Sequence, residues 1–163
     1  MPGVAVNGST YETTVEGYVT YEIWSYIKVG ETCTSRDDDG YCTNWDDDYD
    51  WRQTGRDSRA AKITGYIVAS SKMKIGGASV AVVGDTTIET WVAAPPVPSN
   101  SSGTEIRNIQ PGTSGSGQGK IISGSTRGKL NGKSIALIGS TVETCLGTIT
   151  TIKTGSDKMK FSS

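Results

Sequence analysis

The sequence predicts an all-β fold: a compact cone of short β-hairpins with internal pseudo-threefold repeats and two loop insertions. Three observations carry this expectation. The first is composition. Only 34% of the 163 residues are hydrophobic, and there are 21 Gly and 40 Ser plus Thr, a mixture poor for helices and suited to turns and short strands. The second is a seven-residue pattern that occurs three times, as V-A-V-N-G-S-T at 4–10, V-A-V-V-G-D-T at 80–86 and I-A-L-I-G-S-T at 135–141. The third is a basic pattern that occurs as A-S-S-K-M-K-I at 69–75, G-S-T-R-G-K-L at 124–130 and G-S-D-K-M-K-F at 155–161.

Taken along the chain, these patterns define half-units at 4–10, 69–86, 124–141 and 155–161 of a single domain, 1–163. Two copies of the basic pattern pass through a glycine turn, Gly76-Gly77 or Asn131-Gly132, straight into the first pattern. Asn-Gly between short apolar runs is a strong hairpin signal. Each unit therefore reads as strand, tight turn, strand and glycine bend, with basic residues facing outward. The remaining unit is split, its second half at the N-terminus and its first half at the C-terminus. A closed ring of three units, cut inside one of them, has this order. It predicts that Phe161 lies near Val4.

The expected core is Val4, Val6, Val80, Val82, Ile135 and Leu137, faced by Ile75, Leu130 and Phe161. Ala5, Ala81 and Ala136 occupy one equivalent position, and a small residue repeated there predicts close approach of the units. Residues 11–30 alternate polar and apolar and read as strand. The aromatic residues Tyr18, Tyr21, Trp24 and Tyr26 in this stretch read as core or strand-face groups.

The two insertions are read as loops. Residues 31–60 hold nine acidic residues against four arginines, so the rest of the chain is mildly basic although the whole carries a formal charge of -1. Clustered carboxylates with a glycine turn suit a hard cation, but Asp37-Asp38-Asp39-Gly40 and Asp46-Asp47-Asp48 lack the spacing of a calcium loop. A solvated acidic loop is the preferred reading. Residues 92–118, rich in Pro, Ser and Gly, read as an extended surface connection.

Several function classes lose ground on composition. The chain has no His, which removes the commonest general base and the commonest zinc ligand and with them any Ser-His or Cys-His pair. Paired-carboxylate chemistry stays open, but the expectation is a protein that is not an enzyme. The near-neutral charge argues against nucleic acid as a partner. No apolar run is long enough to span a bilayer, so no stable membrane anchor is expected. The opening Met1-Pro2-Gly3 lacks a basic and apolar leader pattern, so no secretory signal is expected.

The repeats resemble the PAAR-repeat family, whose members sit as tips on the central spikes of contractile phage tails, type VI secretion systems and related injection machines. The hallmark is S-x-x-V-x-Φ-N-G-K-x-x-A-x-Φ-G-D, with Φ apolar. Ser71 to Asp85 reads S-K-M-K-I-G-G-A-S-V-A-V-V-G-D, and residues 126–140 include L-N-G-K. The matching positions are Ala5, Gly8, Ser71, Gly77, Ala81, Gly84, Asp85, Asn131, Gly132, Ala136, Gly139 and Ser140. The resemblance covers roughly half the chain and includes the opening M-P-G-V-A. The Gly-Asp pair survives only at Gly84-Asp85, with Gly-Ser in the other two units.

The resemblance implies a spike tip that caps a trimeric β-helical spike, one tip per trimer, and aids membrane piercing. It implies assembly in a bacterial cytoplasm, a place at the tip of a virion tail or injection apparatus, and the target cell envelope as the surface met. Alternatives are a carrier or effector-bearing tip with a role for the acidic insertion, and another β-rich structural or adhesive virion protein. The chain stops two residues after its last half-unit, which argues against a C-terminal effector. Family members commonly hold zinc near the apex with three His and one Cys, and without His that site does not carry over. Three readings of Cys33, Cys42 and Cys145 stay open: a Cys33–Cys42 disulfide, a three-thiolate metal site, or free packed thiols.

Overall fold

The residues that the repeats align meet in space. In the computed structural model, which describes residues 1–162, the three copies of the seven-residue pattern cross at a ring of backbone hydrogen bonds. The Ala5 N–H donates to the Ala136 carbonyl, the Ala136 N–H to Ala81, and the Ala81 N–H to Ala5, each at 2.9 Å. All three alanines are fully buried. Flanking residues bridge in the same sense, Val4 with Leu137, Val6 with Val80 and Val82 with Ile135. The ring gives each segment a donor and an acceptor partner, which buried backbone requires.

Below the ring each segment turns at a glycine, Gly8, Gly84 or Gly139, with φ of 89°, 98° and 96°. Only glycine adopts this left-handed conformation without steric cost. The turn is closed by the next side chain. Ser9 Oγ, Asp85 Oδ2 and Ser140 Oγ accept the N–H of Val6, Val82 and Leu137, each at 2.9 Å. The Gly-Ser copies thus make the same bond as Gly-Asp, because a hydroxyl and a carboxylate oxygen both accept. Each turn is then gripped by an isoleucine. The N–H of Gly8, Gly84 and Gly139 donates to Ile67, Ile121 and Ile152, and these isoleucines donate back to Ser9, Asp85 and Ser140.

The described residues contain fourteen strands: β1 (Gly3–Val4), β2 (Thr10–Arg36), β3 (Cys42–Val68), β4 (Lys74–Ile75), β5 (Ala78–Ser79), β6 (Thr86–Ala94), β7 (Thr104–Gln110), β8 (Ser114–Gly117), β9 (Lys120–Ile121), β10 (Lys129–Leu130), β11 (Lys133–Ser134), β12 (Thr141–Glu143), β13 (Ile149–Thr151) and β14 (Ser156–Lys160). The fold is all-β. No helix among the described residues is long and apolar enough to cross a membrane. Three two-stranded sheets, β4–β5, β10–β11 and β1–β14, are the expected hairpins. The split unit is completed by the two chain ends, and the Phe161 N–H reaches the Pro2 carbonyl at 3.3 Å.

The other eight strands form one antiparallel sheet in the order β13-β12-β9-β6-β3-β2-β7, with β8 on β6. The sheet curls, and the Lys153 N–H after β13 donates to Thr10 of β2 at 3.0 Å. Burial follows in three layers. Under the hairpins lie Val4, Val80, Ile135 and Leu137, packed by Val6, Met73, Ile75, Leu130, Met159 and Phe161; this is the expected core with two methionines added and without Val82, which is buried but lies outside this cluster. The curled sheet encloses Ile67, Ile121, Ile152, Tyr11 and Val142 against the three alanines. A third layer holds Val19, Ala61, Ile63, Trp91 and Ala93.

The insertions differ from expectation. Residues 31–60 are not a loop: they lie mostly in β2 and β3, two strands of 27 residues paired from Thr10–Tyr66 to Arg36–Cys42. At about 3.3 Å per residue this ribbon is roughly 90 Å long. Asp is disfavoured in strands, but cross-strand partners decide the outcome. Here Tyr26 lies opposite Trp51, and Lys28 opposite Tyr49. Residues 92–118 likewise contain strand. β7 pairs with β2, and β8 covers Trp91, where a Cβ at Gly115 would come within 2.6 Å of the indole. The small residues that suggested a loop are what lets this backbone lie flat on a large ring.

Three substitutions test the ring and its bends. Asp85→Ser is expected to change unfolding free energy little, because serine does this work in the other two units, whereas Asp85→Ala should cost about 1 kcal/mol. Ala81→Leu places bulk at the crossing and should cost about 1–3 kcal/mol or more. Denaturant unfolding of the three variants checks both statements.

Candidate functional site

The repeat-motif positions gather around the ring and its hairpins. Ala5, Ala81 and Ala136 form the ring; Gly8, Gly84, Gly139, Asp85 and Ser140 form the bends. Gly77, Asn131 and Gly132 form the hairpin turns, with Asn131 at φ 53°. Ser71 Oγ lies 2.7 Å from the Val80 carbonyl and ties the start of its hairpin to the ring strand. These residues build a face rather than a reactive centre. The face presents three hairpins in pseudo-threefold order, in which β4, β10 and β14 each pair with a single partner strand, β5, β11 and β1.

The cysteines separate. Cys33 and Cys42 form a disulfide across the far end of the β2–β3 ribbon. Cys145 is a half-buried free thiol beside the third layer. The structure therefore does not bring three thiols together as metal ligands. Among the described residues no group of three His, Cys, Asp or Glu side chains is placed to hold a metal ion. In the Asp37–Gly40 turn, Asp37 Oδ1 accepts the N–H of Asp39 and of Tyr41, at 3.0 and 2.9 Å. The carboxylate thus serves its own turn.

Sequence reasoning missed a polar cluster inside the curled sheet. The Glu89 side chain is fully buried. Its Oε2 accepts the Tyr11 hydroxyl and its Oε1 the Cys145 N–H at 2.5 Å. The Tyr11 hydroxyl also lies 2.7 Å from Thr87 Oγ1, which accepts the Gly119 N–H at 2.9 Å. Desolvation, then the bond to Glu89, drives the Tyr11 phenol far above its ordinary range. Desolvation, reinforced by Glu89, pushes the Cys145 thiol up to about 11. The signal was present in the alignment: Tyr11 and Thr87 stand where the third copy has Val142. The cluster is closed to substrate, and its bonds satisfy buried polar groups in the manner burial requires.

The β2–β3 ribbon is the second exposed feature. β7 supports β2 only between Thr20 and Ser25, and β6 supports β3 only from Ala60 to Val68. A bare two-stranded ribbon is marginal in water. Here Tyr26 packs on Tyr49 and Trp51, with ring centroids 5.4 Å apart in each pair. The Arg107 guanidinium covers Trp24 at 4.5 Å and Trp51 at 5.4 Å, a half-exposed cation–π stack. Lys28 bridges Glu31 and Asp47 at 2.5 and 3.1 Å. Tyr26, Tyr41, Trp45 and Tyr49 remain largely exposed.

Two outcomes follow. A raised thiol pKa stabilises the fold fully below the ordinary value of 9.0 and loses that contribution as pH rises to about 11. Unfolding midpoints should therefore fall across this window, and Cys145→Ala should flatten the fall, leaving the steeper loss from Tyr11 above pH 10. Separately, replacing Cys33 and Cys42 by Ser should raise amide exchange at the ribbon tip about tenfold or more while protection of the ring strands is unchanged.

No family model, curated protein or solved structure matches the chain.

Proposed function

We propose that this chain is the tip of the central spike of a contractile injection machine, a phage tail or a related system, and that it caps a trimeric β-helical spike. The observation that carries the reading is the hydrogen-bond ring of Ala5, Ala81 and Ala136. Through it a single chain carries three equivalent hairpins on one end. A trimeric β-helix ends in three equivalent open strand edges, and one chain with internal threefold order can meet all three at once. Nothing in this role needs a reactive group, in keeping with a face built from alanines, turns and edges. Free edges are a hazard for a lone protein, and docking would cover them.

A second reading is favoured by the ribbon. Its exposed aromatic side chains and its length suit contact with a target surface, as in an adhesive virion protein. The two readings place the chain differently. Quantitative mass spectrometry of purified particles, with imaging of their tails, separates them. The spike-tip reading expects one copy per three spike chains on the tail axis. Three copies per trimer, or a position on the outer tail surface, overturns it.

A further inference from the structure

The aligned basic pattern has a consequence for the partner. Each hairpin carries two cations at equivalent positions: Lys72 and Lys74, Arg127 and Lys129, Lys158 and Lys160. All six are exposed, as is Lys133 beside the Asn131-Gly132 turn. Lys74, Lys129, Lys158 and Lys160 belong to β4, β10 and β14. The carboxylates near them are few. Asp157 lies in the β14 segment, and Asp85 is turned inward onto the Val82 N–H at 2.9 Å. Among the described residues, none of these seven cations takes part in an ion pair, whereas Lys28, Arg52, Arg56, Arg59, Lys62 and Arg107 all do.

Unpaired like charges around a small face repel one another, a cost that a complementary surface removes. Edge lysines also keep an open strand from pairing with a second copy of the same chain. The same charge favours an acidic strand edge over a neutral or basic one, so it selects a partner as well as refusing a wrong one.

We infer that the three-hairpin face docks onto an acidic, threefold end of a protein, in which Asp or Glu side chains from three equivalent chains meet the cations carried on and beside β4, β10 and β14. This rests on the capping role proposed above and adds the chemistry of its interface. An anionic lipid surface offers the same charge sign, but it has no threefold order and no strand edges to match those left open here.

Zero-length carbodiimide coupling of intact particles tests the inference, because it joins an amine to a carboxylate only where they touch. The expected result is peptides linking Lys74, Lys129 and Lys160 to Asp or Glu of the spike chain. Variants Lys74→Glu, Lys129→Glu and Lys160→Glu, combined, should lower tip occupancy of particles roughly tenfold or more, while the three Lys→Gln changes should have a smaller effect. Unchanged melting temperature confirms that the exposed changes leave the fold intact.

If one tip per three spike chains is found but the linked lysines lie elsewhere, or charge reversal leaves occupancy unchanged, the acidic interface is wrong while the capping role survives. A different stoichiometry defeats the capping role itself. Binding of the wild-type chain to vesicles of equal parts phosphatidylcholine and phosphatidylglycerol, lost on charge reversal and without spike cross-links, overturns the inference in favour of a lipid surface.

Discussion

Three backbone hydrogen bonds among Ala5, Ala81 and Ala136 organise this molecule. They join segments far apart in sequence, so their formation carries a large loop-closure cost that must be offset by what packs around them. Two layers do so. The hairpin layer covers one side of the ring with valines, leucines, isoleucines and Phe161, and the isoleucine layer covers the other. Alanine at the crossing keeps the strands close enough for direct bonds. The glycine bends then send each segment out into the curled sheet.

The threefold order fades with distance from the ring. At the bends the three copies make matching bonds at matching lengths. One layer further, Tyr11 and Thr87 replace the apolar role of Val142, and Glu89 enters a site that must be fully satisfied to be tolerated. Beyond that, one copy extends into a ribbon of 27-residue strands and the others do not. A partner with threefold symmetry would thus find matching geometry at the hairpins, and a single-copy feature is left free to point away.

Charge divides along the same line. The hairpins are basic, and the ribbon holds the acidic excess that brings the total to -1. The ribbon's charges are partly compensated within it, as at Lys28 with Glu31 and Asp47 and at Arg56 with Glu22. The hairpin cations are not. Exposed surface pairs contribute little stability, so the arrangement bears on association more than on folding.

The sequence by itself determined the ring and its hairpins. Repeated Ala, Gly and Asn-Gly positions encode local geometry: a small Cβ, a left-handed bend and a tight turn are properties of single residues or dipeptides. The core near the ring was legible for the same reason, since it lies on the aligned strands. The tertiary structure decided the rest. Ile67, Ile121 and Ile152 stand outside the seven-residue pattern, and only the curled sheet makes them one layer. Asp46 to Asp50 read as loop because single-residue preference disfavours Asp in strands, yet pairing with Lys28 and Thr32 across the ribbon holds them extended. Glycines 115 and 117 read as linker because their use depends on Trp91 and Cys145, residues they meet only after folding. Local conformation is written in neighbours along the chain; pairing and enclosure depend on neighbours that the chain brings together only in three dimensions.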